Sequence, residues 1–236
     1  TNMCCFHNIR KQKIVTEMIN ISTGDKYETD ETIAAFTKNG LLYVTYCFQR
    51  FNQADNGYGY KVSLSSFESR NIPISALLKV AVTSSGRTVR EIYLDELVQS
   101  PNKKHFYYAS HALFNNSGNC IAFFLREKIR NGAILTRLFI FNIESSKLCQ
   151  IKVSDASHMS WKTEYQLICF CVSKEYGAAY HIIDTTKGSY QHILSNNLTA
   201  DGHPFCAKDG SWFVTDTYPD RYRIQSLYIY TEKDKT

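Results

Sequence analysis

Three histidine-headed segments in one register, a repeat spacing in the forties, and β-branched and aromatic runs between turn signals together predict an all-β chain, a β-propeller of four-stranded antiparallel blades. The segments are HALFNNSG, HMSWKTEY and HPFCAKDG, opening at His111, His158 and His203. Each places a large or apolar residue three positions on, at Phe114, Trp161 and Cys206. In the first and third, a glycine stands seven positions on, at Gly118 and Gly210. A fourth copy, IAAFTKNG, keeps Phe36 and Gly40 at those offsets but has Ile33 in the histidine's place. The spacings from Ile33 are 78, 47 and 45 residues, and a strand-built repeat of that length is the signature of propeller blades.

Each copy reads strand by strand. The histidine segment is followed by an apolar or alternating run, LLYVTYCF, CIAFFL, LICFCV or WFVTDTY. A polar turn then leads to a second run, TRLFIFNI, AAYHIID or SLYIYTE, each closed by a turn-like stretch, ESSK, TTKG or EKDK. CQIKVS and YQHILS supply the outer strand before the next blade. The first copy is longer because it carries an insertion, roughly Asn52 to Ile74, with the stretch GYGY at Gly57 to Tyr60. Beyond it LLKVAV and TVREIYL resume the strand pattern across SSGR, and LDELVQS reads as one or two turns of helix. The blades run 28–104, 105–151, 152–196 and 197–236, with residues 1–27 as part of a preceding blade whose strands are CCFHNI and KIVTEMI. That is about four and a half blades, fewer than a closed ring uses, so either material outside this chain closes the ring or the count differs.

Composition fits one compact β domain able to bury a sizeable core. Aromatic residues make up 14% of the chain and fall mostly at strand positions, where core packing accounts for them. The formal net charge of +5 is scattered without a basic run, which argues against nucleic acid or a membrane surface as partner. No apolar run reaches the length of a membrane helix, and no signal peptide is visible. The eight cysteines form no Cys-x-x-Cys pair and sit largely in apolar strands, so they read as reduced thiols of a cytoplasmic protein. No nucleophile elbow, P-loop or dinucleotide fingerprint is present.

The function therefore rests on the histidines. The first strand of a propeller blade lines the central channel, so His111, His158 and His203 should converge at one mouth of it. Neutral imidazole is the commonest metal ligand and a ready general acid or base. The structural alternative is that each ring only hydrogen-bonds a neighbouring blade's backbone or turn. His7, His105, His181 and His192 stand outside the register and take that structural or surface reading. In TDTYPDR, Asp216, Tyr218, Asp220 and Arg221 follow the His203 strand and could line the same mouth, or the aspartates could cap the turn. Tyr58 and Tyr60 of GYGY could stack on sugar rings, present themselves to a protein partner, or fold the loop back on its blade.

The segments HALFNNSGNCIAFFLRE, LTRLFIFN, SHMSW and DGHPFCAKDGSWFVTDTYPDR resemble those of a bacterial TolB/WD40-like propeller family akin to oligogalacturonate lyase, and more closely its uncharacterised members. The resemblance runs from about Thr32 onward. It implies a divalent metal, most often manganese, at the channel, with His158 and His203 as ligands and His111 as a further ligand or the base. Metal-assisted β-elimination on an acidic oligosaccharide would then use Arg126 and Arg137 beside the reacting centre. Arg221, Arg223, Tyr218, Asp216, Tyr58 and Tyr60 would hold the sugar. The chain departs from the family where the pattern Gln-x-x-His-x-His is replaced by Ala200-Asp-Gly-His203-Pro-Phe205, and where Leu125 stands in place of a histidine. The leading reading is therefore a propeller whose histidine-lined central pocket binds an acidic or polyhydroxylated sugar, with metal-assisted elimination as the chemistry the resemblance implies. The alternative is a non-catalytic propeller that displays loops such as GYGY to a protein partner.

Overall fold

The structure is a computed structural model and describes residues 2–62 and 70–231. Part of the expected insertion, residues 63–69, and the expected turn EKDK lie outside the described residues. By contacts the chain divides into two compact units, Thr1–Phe114 with Leu125–Leu135, and Asn115–Phe124 with Thr136–Thr236. The division passes through the third of five antiparallel sheets.

The first unit opens on β1 (Met3–Arg10), β2 (Lys13–Asn20) and β3 (Lys26–Thr29), a three-stranded sheet in chain order. Sequence showed two of these strands. The β1–β2 hairpin pairs Arg10 with Lys13, so only Lys11 and Gln12 make the turn, both with positive φ, at 47° and 66°. Two-residue hairpins demand that backbone, and it is normally signalled by Asn-Gly or Asp-Gly.

The second sheet follows, β4 (Ile33–Phe36), β5 (Leu42–Thr45), β6 (Leu78–Val82) and β7 (Thr88–Ile92). Its core joins Ile33, Tyr43 and Ala81 with Phe36 packed against them. The run LLYVTYCF is not one strand to its end. After β5 the chain turns into helix α1 (Phe48–Ala54), so the insertion begins earlier than the expected Asn52. Aromatic burial explains the switch: Tyr46 stacks on Phe48 at 4.5 Å, and Phe51 packs with Ala54 and Tyr108. LDELVQS forms the single helical turn α2 (Leu94–Leu97), with the Glu96 carboxylate accepting from the Tyr93 N–H at 2.9 Å.

The third sheet comprises β8 (Phe106–Phe114), β9 (Cys120–Lys128), β10 (Ile134–Asn142) and β11 (Lys147–Gln150). In the second unit β12 (Ser154–Trp161), β13 (Gln166–Ser173), β14 (Gly177–Asp184) and β15 (Ser189–His192) pair in chain order. The last sheet is β16 (Phe205–Cys206), β17 (Trp212–Asp216) and β18 (Leu227–Thr231). One face of the β12–β15 sheet packs on it through Ile168, Tyr180, Ile193 and Leu198 against Cys206, Phe213 and Tyr230. Full burial of such a side chain contributes roughly 1.5–3 kcal/mol, so this contact stabilises the unit substantially. All eight cysteines are free thiols, four of them buried, as apolar strand positions require.

Arg50 on α1 is a buried cation in the first unit, 2% exposed. Its guanidinium donates to the carbonyls of Tyr107 (3.1 and 2.5 Å), Arg70 (2.9 Å) and Asn71 (3.3 Å), and its Cζ lies 4.1 Å from the centre of the Phe106 ring. It thereby ties the helix to β8 and to the far end of the insertion. Nearby, the buried Glu127 carboxylate accepts from the Tyr107 hydroxyl at 2.8 Å and meets His105 Nδ1 at 2.6 Å, which gives His105 a structural partner. Replacing Arg50 by Met leaves these carbonyls without their donor and should lower stability by about 3 kcal/mol. Urea denaturation checks this; an unchanged midpoint would show that the tie is dispensable.

Candidate functional site

In the second unit two of the three repeat histidines meet. His158 lies within β12 and His203 two residues ahead of β16. A break in the β12–β13 register between Ser154 and His158, with Asp155 at φ 47°, sets the strand's course into His158. The two imidazole rings lie 4.2 Å apart, centre to centre, at 55° to one another.

Each ring is held by an aspartate. His158 Nδ1 lies 3.1 and 3.2 Å from the Asp201 carboxylate oxygens, and that carboxylate also accepts from the Ser157 hydroxyl at 2.8 Å and the Gly202 N–H at 2.9 Å. His203 Nδ1 lies 2.9 and 3.1 Å from the Asp216 oxygens, and the His203 backbone N–H donates to the same carboxylate at 2.6 Å. Glycine at 202 makes the second arrangement possible. A Cβ there would stand 1.8 Å from the Asp216 carbonyl oxygen, so a side chain would drive the 201–203 segment away from β17. Beneath it, the buried Thr215 hydroxyl bonds Tyr180 at 2.7 Å, and burial pushes the Tyr180 phenol up to about 12 against the Thr215 bond that lowers it.

The site is open on one side. The His203 side chain is 58% exposed and that of Asp216 33%, against 13% for His158. Tyr218, 49% exposed, places its ring 5.7 Å from His203 and 6.1 Å from His158. The loop that follows is pinned by Asp220, whose carboxylate accepts from the Tyr222 and Ile224 N–H groups at 2.8 and 2.9 Å. Asp220 thus does the local turn-capping work, whereas Asp216 serves His203. On this loop Arg221 sits with its Cζ 4.7 Å from the Tyr222 ring, and Arg223 adopts a φ of 64° with its N–H on the Asp220 carbonyl. Both arginines are exposed.

The remaining sequence candidates have surroundings of their own. His111, in mid-strand with a φ of 55°, belongs to the first unit and has its ring 5.9 Å from Phe51. Arg126 stands in that unit too, its Cζ 5.9 Å from the same ring, while Arg137 belongs to the second. The nearby Tyr46 phenol is pushed up to about 12 by burial, although the His111 backbone bonds it. The GYGY tyrosines pack within the first unit, Tyr58 on helix α1 and Tyr60 on the preceding sheet. Tyr58 stacks on Phe51, 5.3 Å away and nearly parallel, and the Tyr60 hydroxyl bonds His7 Nδ1 at 2.9 Å while His7 Nε2 meets the Ile33 carbonyl at 2.8 Å. His181 is buried against the Ala179 carbonyl and the Ser173 hydroxyl.

The two histidines and two aspartates do not make up a metal cluster of three or more ligands. Nδ1 of both imidazoles faces a carboxylate, and among the described residues no group of three or more His, Cys, Asp or Glu side chains is placed to hold an ion. Sequence reasoning had His158, His203 and Asp216 in view and missed how the histidines pair with Asp201 and Asp216. The pairing depends on β16–β17 register, and short-range spacing does not encode it.

The sheets define an all-β protein of the propeller class. No family model matches the sequence, and no curated protein matches it. Among solved structures the chain is similar to an oligogalacturonate lyase in complex with manganese, at 9% identity and a TM-score of 0.54, over 92% of this chain and 54% of that one. It is also similar to an uncharacterized protein of Listeria monocytogenes (13% identity, TM-score 0.55, 98% of this chain and 60% of that one). The β-propeller domain of the Trilobed protease of Pyrococcus furiosus gives 11% identity and a TM-score of 0.56, over 98% of this chain and 66% of that one. The chain thus spans 54% to 66% of the length of these proteins, and the likeness is one of fold. No helix among the described residues is long and apolar enough to cross a membrane.

Asp216 gives the site its pH limit. Burial pushes its carboxyl up, but the His203 backbone N–H, the His203 ring and its charge together outweigh this and hold it below the usual carboxylate value. The tie to His203 therefore contributes stability above the unfolded-chain value of about 3.9 and loses it as pH falls through the lower folded value. A carbon-detected NMR titration should place the Asp216 inflection below that of an unfolded peptide. An inflection at or above it would contradict the tie.

Proposed function

We propose that the cluster formed by His158, His203 and Tyr218 is a sugar-binding site. The observation that carries this reading is the pairing of two carboxylate-held imidazoles at 4.2 Å beside a half-exposed tyrosine ring. Sugars present hydroxyl groups on their edges and C–H groups on their faces. A rigid set of acceptors beside an aromatic ring complements both, and convergent polar groups with an apolar platform are what a small-molecule site requires.

The solved propellers of similar fold include a lyase and a protease domain, so the fold itself does not choose between them. The departures at Phe205 and Leu125 and the lack of a three-ligand cluster among the described residues favour binding over metal-assisted elimination, and no metal step enters this reading. A protein-docking role for GYGY finds little support, because Tyr58 stacks on Phe51 and Tyr60 bonds His7 of the preceding sheet.

Calorimetric screening of neutral and acidic oligosaccharides tests the proposal. A ligand that binds should lose at least about tenfold in affinity, or 1.4 kcal/mol, in both His203→Ala and Tyr218→Ala. Unchanged affinity in both variants would remove the cluster from the binding reaction.

A further inference from the structure

The aspartates carry chemical information about the ligand beyond their structural role. An ionised carboxylate only accepts hydrogen bonds, so an imidazole whose Nδ1 faces one keeps its proton there and turns Nε2 into the acceptor. At His203 the constraint is double. Asp216 receives both the backbone N–H, at 2.6 Å, and Nδ1, at 2.9 Å, so ring orientation and tautomer are fixed by one group on β17. At His158 the Asp201 carboxylate is itself oriented by Ser157 and the Gly202 N–H.

We propose that Asp216 and Asp201 are positioning residues that hold the two histidines as Nδ1–H tautomers, so that the site takes its ligand by hydroxyl donation to His203 Nε2 and selects a neutral sugar over a uronate. The ligand half of this inference rests on the sugar-binding reading above; the tautomer half does not. A hydroxyl can donate to a neutral Nε2, whereas a ligand carboxylate has no proton to give and meets two further carboxylates, each within 3.2 Å of an imidazole nitrogen. The nearby guanidiniums are poorly placed to reverse this preference. Arg221 lies over Tyr222, and both Arg221 and Arg223 are on the solvent side of the loop, where ionic screening weakens them.

Long-range 15N–1H NMR of the imidazole side chains tests the tautomers on the unliganded wild-type chain. The expected result is a protonated Nδ1 and an unprotonated Nε2 at both His203 and His158, with Asp216→Asn, whose amide can donate to Nδ1, moving His203 toward the Nε2–H form. A role limited to holding the loop would leave that pattern unmoved, so an unmoved pattern, or an Nε2–H form in the wild type, overturns the proposal. Matched hexosides and hexuronides of the gluco, galacto and manno series then test selection. A neutral member should bind at least tenfold tighter than its uronide and lose at least tenfold in Asp216→Asn. Equal or tighter uronide binding overturns the selection, while the expected tautomers with no sugar bound at all overturn the sugar-binding reading and the selection with it.

Discussion

The packing of one sheet face on the next is the constraint on which the second unit depends. Ile168 and Tyr180 of the β12–β15 sheet meet Cys206, Phe213 and Tyr230 of the last sheet, with Phe170, Ile182 and Tyr228 closing the contact. Strand side chains alternate, so a slip of one residue would turn this whole set outward. The same register that buries Phe213 places Asp216 where its carboxylate catches His203, since Cys206 pairs with Phe213 and Phe205 with Val214. Apolar burial thus sets the geometry of the polar site that it supports.

Much of this was legible in the sequence because strand periodicity and turn chemistry are local. The runs around Cys120, Leu167 and Leu227 became strands, LDELVQS became a helical turn, and the repeat located the histidines. What was hidden depends on contacts distant in sequence or on unusual backbone. Lys11 and Gln12 form a hairpin turn without the glycine or asparagine that normally marks one. The run LLYVTYCF breaks into helix because Phe51 has Tyr108 to bury against, a partner more than fifty residues away. The histidine register was read as the start of a strand, yet His111 and His158 lie in mid-strand and His203 ahead of one.

The site is a clearer case of the same division. Histidine and aspartate residues were visible as candidates, but spacing alone made them metal ligands or sugar contacts without choosing. The structure pairs them, one aspartate to one imidazole, and each pairing crosses the chain, by 43 residues for His158 and 13 for His203. A carboxylate bound to a ring nitrogen changes what the ring can do. It fixes orientation and proton position, and it directs the ring's lone pair through Nε2 alone. The GYGY tyrosines show the opposite outcome, residues with binding potential spent on holding an insertion against Phe51 and His7.

That His158 and His203 act as one unit is the central claim, and a double-mutant cycle on hexoside binding measures it most directly. With single and double alanine variants of the two histidines, the account predicts losses in binding free energy that fail to add by more than about 0.5 kcal/mol, as for groups sharing one ligand. Additive losses, or a ligand indifferent to both substitutions, would contradict it.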